Sequence, residues 1–239
     1  MRSEPKATFH SQVFDNKFVF LSASFPAPTR DKRYLSTSNP LNITDAVVAA
    51  ARAVIWASGR LVCGGHPTIS PLLLSLGEDL SRIFPGREAF VRIYQSRFFE
   101  PKIVPQTLDL VSKRIGEIVW TEAAEDQTKS LKLMREKMLA ETTPIAGIFV
   151  GGMEGIEEEF RLFRAYYPDH PVYCIGSPGG ATSYLAEGIA IGKTQLGWNY
   201  MRVDPEDLLS STIYPALMHA IVLDMVAFLE RPSKNASTG

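Results

Sequence analysis

Six short runs of β-branched and aromatic residues punctuate the chain: FVFLSA (18–23), RLVC (60–63), AFVRIYQS (89–96), GEIVWT (116–121), IAGIFV (145–150) and PVYCIG (171–176). Between them lie segments of helical period at 44–58, 68–83, 105–114, 128–141, 155–167 and 180–190. This alternation constrains the fold more than any other feature, because repeated strand–helix units close most readily into a parallel sheet. Several of the runs are continuously apolar rather than alternating, the mark of strands buried on both faces. The expected architecture is therefore α/β, a doubly wound parallel sheet of about six to seven strands with helices on both faces. Asn42 or Thr44 can cap the first helix, whose Val47, Val48, Ala51, Val54 and Ile55 share one face. A closing helix over 205–229, opened by DPED, offers an apolar surface through Ile213, Leu217, Ile221, Met225 and Leu229. The 239 residues suit one domain with an N-terminal arm (1–16), a core (17–190) and that C-terminal helix, with 231–239 as a loose end.

Charge and cysteine usage exclude several classes of function. Lys and Arg number 25 against 26 acidic residues, so the overall balance calls for neither nucleic acid nor an anionic membrane. The most apolar stretches are too short or too charged to span a bilayer, and the N-terminus lacks an apolar signal segment, so a cytosolic (cytoplasmic) protein is expected. The only cysteines, Cys63 and Cys174, fall inside apolar runs and suit reduced, buried thiols. In that compartment the sequons at Asn42 and Asn235 carry no meaning.

Four strand candidates end in small, polar or glycine residues: Ser22 and Ser24 in SAS; Gly64, Gly65, His66 and Thr68 in CGGHPTISP; Gly151, Gly152, Met153, Glu154 and Gly155 in VGGMEG; Gly179, Gly180 and Thr182 in GSPGGAT. In a doubly wound sheet the ligand sits beyond the carboxyl ends of the strands. Glycines there let backbone amides approach a ligand, and the following helix offers unsatisfied N–H groups suited to phosphate. Each glycine pair alone is also an ordinary turn signal; together they favour a phosphorylated or ribosylated ligand. None fits GxxxxGK[ST] or GxGxxG. Gln95, Ser96 and Arg97 follow the third strand and could read a base or phosphate, or form an ordinary polar loop. His66 has no partner at metal-ligand spacing, so no metal and no cofactor is called for, and His219 suits packing or an interface. Residues 24–43, about twenty long where about two to six is usual, imply a lid or binding loop, with a surface insertion as the alternative.

RLVCGGHPTISPLLL and IAGIFVGGMEGIEEEF resemble the glycine loops of the SLOG superfamily, which includes the LOG (Lonely Guy) phosphoribohydrolases and the DprA-type proteins. The second segment is similar to their PGGxGTxxE motif, with Val150 in place of Pro, Ile156 in place of Thr and one added residue in the turn (Met153 or Glu154). GGMEG is closer to SLOG domains of bacterial defence proteins, whose relatives bind cyclic ADP-ribose-type signals. The resemblance spans about 17–190 and implies a Rossmann-like fold. In LOG enzymes an Arg about sixteen residues before the first glycine and the Glu of the motif act on a nucleoside monophosphate. Arg135 precedes Gly151 by sixteen, and the Glu falls on Glu158 or Glu159, depending on where the added residue is counted. Acids in a first helical turn are also favoured by the helix dipole alone.

Two functions are consistent with these residues. One is a sensor that binds a nucleotide or ADP-ribose-like ligand at the glycine loops. The other is a LOG-like N-ribosidic hydrolase that releases a base from a nucleoside monophosphate, with Arg135, Glu158 and Glu159 catalytic. The expected partner is a nucleotide-derived small molecule. The resemblance adds a homo-oligomer and, for the sensor, a separately encoded effector. No membrane and no specific nucleic acid is expected.

Overall fold

The computed structural model describes residues 13–29, 31–190 and 203–231. Its strands are β1 (Phe18–Ser24), β2 (Arg60–Gly64), β3 (Val91–Ser96), β4 (Gly116–Thr121), β5 (Ala146–Gly151) and β6 (Val172–Ile175). They form one six-stranded sheet in the order β4-β3-β2-β1-β5-β6, with every pairing parallel. Successive side chains enter opposite layers, as the two-residue period of a strand requires. Val19, Leu21, Leu61, Cys63, Ile148 and Val150 pack with α2 (Pro40–Trp56), α3 (Ser70–Ile83), α4 (Pro105–Ser112) and α9 (Tyr214–Leu229). Phe20, Val62, Phe149 and Cys174 pack with α5 (Gln127–Thr142), α6 (Glu154–Tyr166) and α7 (Ala181–Ala190). The second layer centres on aromatic rings: Phe20 stacks on Phe163 at 5.7 Å, and Phe149 meets both Phe160 and Phe163 edge-on. The chain is thus the doubly wound α/β fold that the alternation predicts.

Strand order reverses at β1. The first four strands step toward one edge, then β5 returns to the other side of β1, in register from Val19 opposite Ala146 to Ser24 opposite Gly151. Since all strands run the same way, the loops at 64–69, 97–104, 151–153 and 176–180 all leave the same end of the sheet.

Three local expectations change. The first long helix starts at Pro40, and its cap is Asn39 rather than Asn42 or Thr44; the Asn39 side chain accepts from the amides of Leu41 and Asn42 at 3.0 and 3.2 Å. Proline at the first helical position has its φ preset and no N–H to satisfy, which fixes the start there. The closing helix is two helices, α8 (Pro205–Ser210) and α9, because the backbone leaves helical geometry between them, with Ser211 at ψ 130° and Ile213 at ψ 69°. Leu217, Ile221 and Met225 are buried against α2, so most of the apolar surface expected on this helix is used within the chain. The long 24–43 segment carries a short helix, α1 (Lys32–Thr37), whose buried Tyr34 donates to Glu157 at 2.9 Å. Tyr184 of α7 donates to the Arg33 carbonyl at 3.2 Å, so α1 packs on the outside of α6 and α7. Of the N-terminal arm, residues 13–16 form a turn in which Phe14 is fully buried; 1–12 and 232–239 lie outside the described residues. Among the described residues no helix is long and apolar enough to cross a membrane.

Candidate ligand-binding site

A cavity of about 530 Å³ opens above the carboxyl ends of β1, β2 and β3, between the first halves of α5 and α6. Its floor is Ser22, Ala23, Ser24, Gly64, Gly65 and Gln95. The wall facing α6 comes from the 3-10 turn Arg97–Lys102 and the residues after it, which supply Phe99, Lys102, Ile103, Val104 and Thr107. Met153, Glu154, Gly155, Ile156, Glu158 and Glu159 line the other side.

The charged centre is built by two helices and a strand. Arg135, in the middle of α5, is buried, with its side chain 7% exposed. Its Nε donates to Glu159 Oε1 at 2.9 Å and its Nη1 to Glu158 Oε2 at 2.5 Å. Ser22, at the end of β1, donates its hydroxyl to the other oxygen of Glu159 at 2.6 Å. Sequence neighbours Glu158 and Glu159 both reach Arg135 from the second turn of α6, while Glu157 points the other way, to Tyr34. Both oxygens of Glu159 are therefore engaged and its side chain is 15% exposed, whereas Glu158 is 46% exposed at the cavity. The guanidinium lies close against residue 155, where a Cβ would stand 3.1 Å from Arg135 Nη2.

Met153, the residue before α6, makes no side-chain cap. The amides of Glu154 and Gly155, the first two of the helix, have no intrahelical acceptor, and both residues border the cavity. Lys102 stands at the rim, exposed, with no ion pair among the described residues. His66 lies half-buried on the α3 side, its Nδ1 within 2.8 Å of Thr68 Oγ1 and 3.3 Å of the Thr68 amide. Burial lowers its pKa below the usual histidine value, only partly opposed by the charge of Glu159, so the ring is neutral at pH 7. Cys63 borders the same space, but burial, reinforced by Glu159, pushes its thiol up to about 12, which disqualifies it as a nucleophile.

The structure thus gathers Ser22, Ser24, Gly64, Gly65, His66, Gln95, Arg135, Met153, Glu154, Gly155, Glu158 and Glu159 around one space. Others of the sequence-derived set lie at the same end of the sheet but outside the cavity lining. Gly151 and Gly152 take positive φ (67° and 73°), and Gly152 donates to the Ser24 carbonyl at 2.8 Å. A Cβ on Gly152 would stand 2.0 Å from Ile156 Cγ1, so this glycine turn lets α6 start close against the strand. Thr182 accepts from the Gly151 amide at 2.9 Å, and the Gly180 amide donates to Thr37 Oγ1 at 3.1 Å; with Gly179 they clasp the α1–α2 junction. Arg97 turns toward β4, meeting Glu100 at 3.2 Å, Glu122 at 3.8 Å and the Trp120 ring. Thr68 is exposed beside His66 and Ser96 caps the 3-10 turn.

A family model described as the SLOG cluster3 family matches residues 33–203, which is 171 of the 239. The chain belongs to the SLOG cluster3 family. No curated protein matches it. Membership supports a ligand-binding or LOG-like domain, and in this SLOG cluster3 chain the matched span runs from α1 through Val203, so it contains α5, the glycine turn and α6. Among the described residues no three His, Cys, Asp or Glu side chains converge on a metal position.

Sequence reasoning missed Phe99, Lys102, Ile103, Val104 and Thr107, together with Gln127, Thr128 and Leu131 at the start of α5. The available signal was position: FFEPKIVP follows the carboxyl end of β3, with Pro101 inside the 3-10 turn and Pro105 at the first position of α4. A second, larger space of about 1250 Å³ lies between α2 and α9 in the other helix layer, walled by Trp56, Ile83 and Leu223 and also lined by Asp45, Arg52 and His219.

Proposed function

We propose that this SLOG cluster3 chain binds a nucleotide or ADP-ribose-like ligand in the cavity above β1, β2 and β3, and acts as a ligand sensor. The observation that carries the reading is the Arg135–Glu159–Ser22 network beside the open first turn of α6, at one cavity. A phosphate or pyrophosphate finds two unsatisfied helix amides and the positive helix end at Glu154 and Gly155, with Lys102 opposite. Ribose hydroxyls find a carboxylate acceptor in Glu158. The volume suits a ligand of nucleotide size.

The sensor reading gains from the state of Glu159. A carboxylate that activates water or stabilises a cationic ribosyl centre needs a free oxygen aimed at the substrate. Here Arg135 and Ser22 occupy both. The hydrolase reading has one observation in its favour: Glu158 keeps an oxygen not held by Arg135, at the cavity surface.

The test is a thermal-shift panel of AMP, nicotinamide mononucleotide, NAD, ADP-ribose and cyclic ADP-ribose, with chromatography of the same samples for released base. A sensor raises its melting temperature with at least one nucleotide and releases no base. Base release lost in Glu158→Gln would replace the sensor reading by the hydrolase. No shift and no release with any member would remove both.

A further inference from the structure

Gln95 is 5% exposed at the end of β3, and its side-chain amide makes no hydrogen bond to any described residue. Neither amide atom is among the fully enclosed polar atoms left without a partner, so the amide reaches the cavity, with donor and acceptor uncommitted by the protein. Gln95 also borders the cavity, where its amide has open space to meet a ligand. Gly65 makes room for it: a Cβ on residue 65 would lie 1.8 Å from Gln95 Oε1, so glycine there lets this side chain lie across the end of β2. The same cavity is lined by Phe99, which is half-buried, and by Ile103, Val104 and Leu131.

We infer that Gln95 and Phe99 form a subsite for a planar group carrying a hydrogen-bond donor next to an acceptor, the edge of a nucleobase or a carboxamide. A primary amide offers one N–H pair and one carbonyl in a plane, which matches such an edge with two parallel hydrogen bonds. The Phe99 ring and the aliphatic wall receive the face of the same group. Gln95 carries no charge, so this end of the cavity selects the neutral part of the ligand, while Lys102 and the α6 amides receive the anionic part. The inference rests on the nucleotide reading above and adds which side chain distinguishes a base from a bare sugar phosphate.

The experiment compares the wild type with Gln95→Met, which keeps the volume and removes both hydrogen-bonding groups. Calorimetric titrations use AMP, nicotinamide mononucleotide and ribose 5-phosphate, and ligand-free melting is recorded for both proteins. The expected result is a loss of about 10–100-fold in affinity for AMP or nicotinamide mononucleotide, with ribose 5-phosphate changed less than about twofold. Free of ligand, Gln95→Met melts within about 2 °C of wild type, because the amide makes no hydrogen bond to a described residue. Equal losses for all three compounds or unchanged affinities would each overturn the subsite. Should wild type bind none of the three compounds, the nucleotide reading itself fails.

Discussion

Replacing Arg135 by Met isolates the charge network at the base of the cavity. Arg135 is 7% exposed and holds Glu159, 15% exposed, through a 2.9 Å hydrogen bond; the Glu158 arm, at 46% exposure, is screened by solvent and contributes no more than about 1 kcal/mol. Deleting one partner of a buried pair costs about 3–5 kcal/mol, chiefly because the remaining charge is left without compensation. Glu159 borders a solvent-accessible cavity, which places the expected cost near the lower end, about 3 kcal/mol. In a chain of this size that lowers the melting temperature by about 6–12 °C. The assay is urea denaturation at pH 7 without ligand, run beside the triple variant Arg135→Met, Glu158→Gln, Glu159→Gln. Removing the whole network leaves no orphaned charge, so the triple variant recovers at least half of the loss. A cost below about 1 kcal/mol for the single change, or a triple variant less stable than the single one, would refute the assignment of the loss to an unpaired buried carboxylate.

Two further outcomes follow from the same geometry. Lys102→Glu reverses an exposed, unpaired rim charge, so it should leave ligand-free melting within about 1 °C of wild type and weaken phosphorylated ligands by about 10–100-fold; equal affinity in calorimetry would remove Lys102 from the site. His66 has its folded pKa lowered by burial, so its contribution to stability is complete above the unfolded value of about 6.5 and is lost as pH falls below it toward the folded pKa, while the unfolded chain alone takes up the proton. His66→Asn should flatten that part of a stability curve measured from pH 7 to pH 5, and an unchanged slope would show that His66 is not the responsive group.

The sheet was legible in the sequence because its strands are continuous apolar runs bounded by turn residues. Over GEIVWT the predicted and observed limits coincide, and elsewhere they differ by one or two residues. The Arg135–glutamate relation was legible through the resemblance to LOG enzymes, which place an Arg about sixteen residues before the first glycine of the turn, as Arg135 precedes Gly151. Placement of the glycines was less so. A glycine pair signals positive φ or a close approach, but the sequence does not say to what. Gly65 makes room for Gln95, whereas Gly179 fits against the α1–α2 junction and Gly180 against the Gly151–Gly152 turn. Nor could polar character show that Arg97 turns toward Trp120 while Lys102 stays at the rim; that depends on the 3-10 turn, whose hydrogen bonds and prolines act only once β3 ends beside α5. The 24–43 segment looked suited to a lid for its length and polarity, and one buried phenol, Tyr34, accounts for its position on α6 and α7.

Hydrogen–deuterium exchange with and without saturating ADP-ribose, repeated with AMP, tests the central claim most directly, since it reports where a nucleotide sits as well as whether it binds. The account predicts slower exchange at 153–156, at the start of α6, and at 97–104, with the outer faces of α2 and α9 unchanged. Protection confined to the groove around Trp56, Ile83 and Leu223, or no protection with either nucleotide, would contradict it.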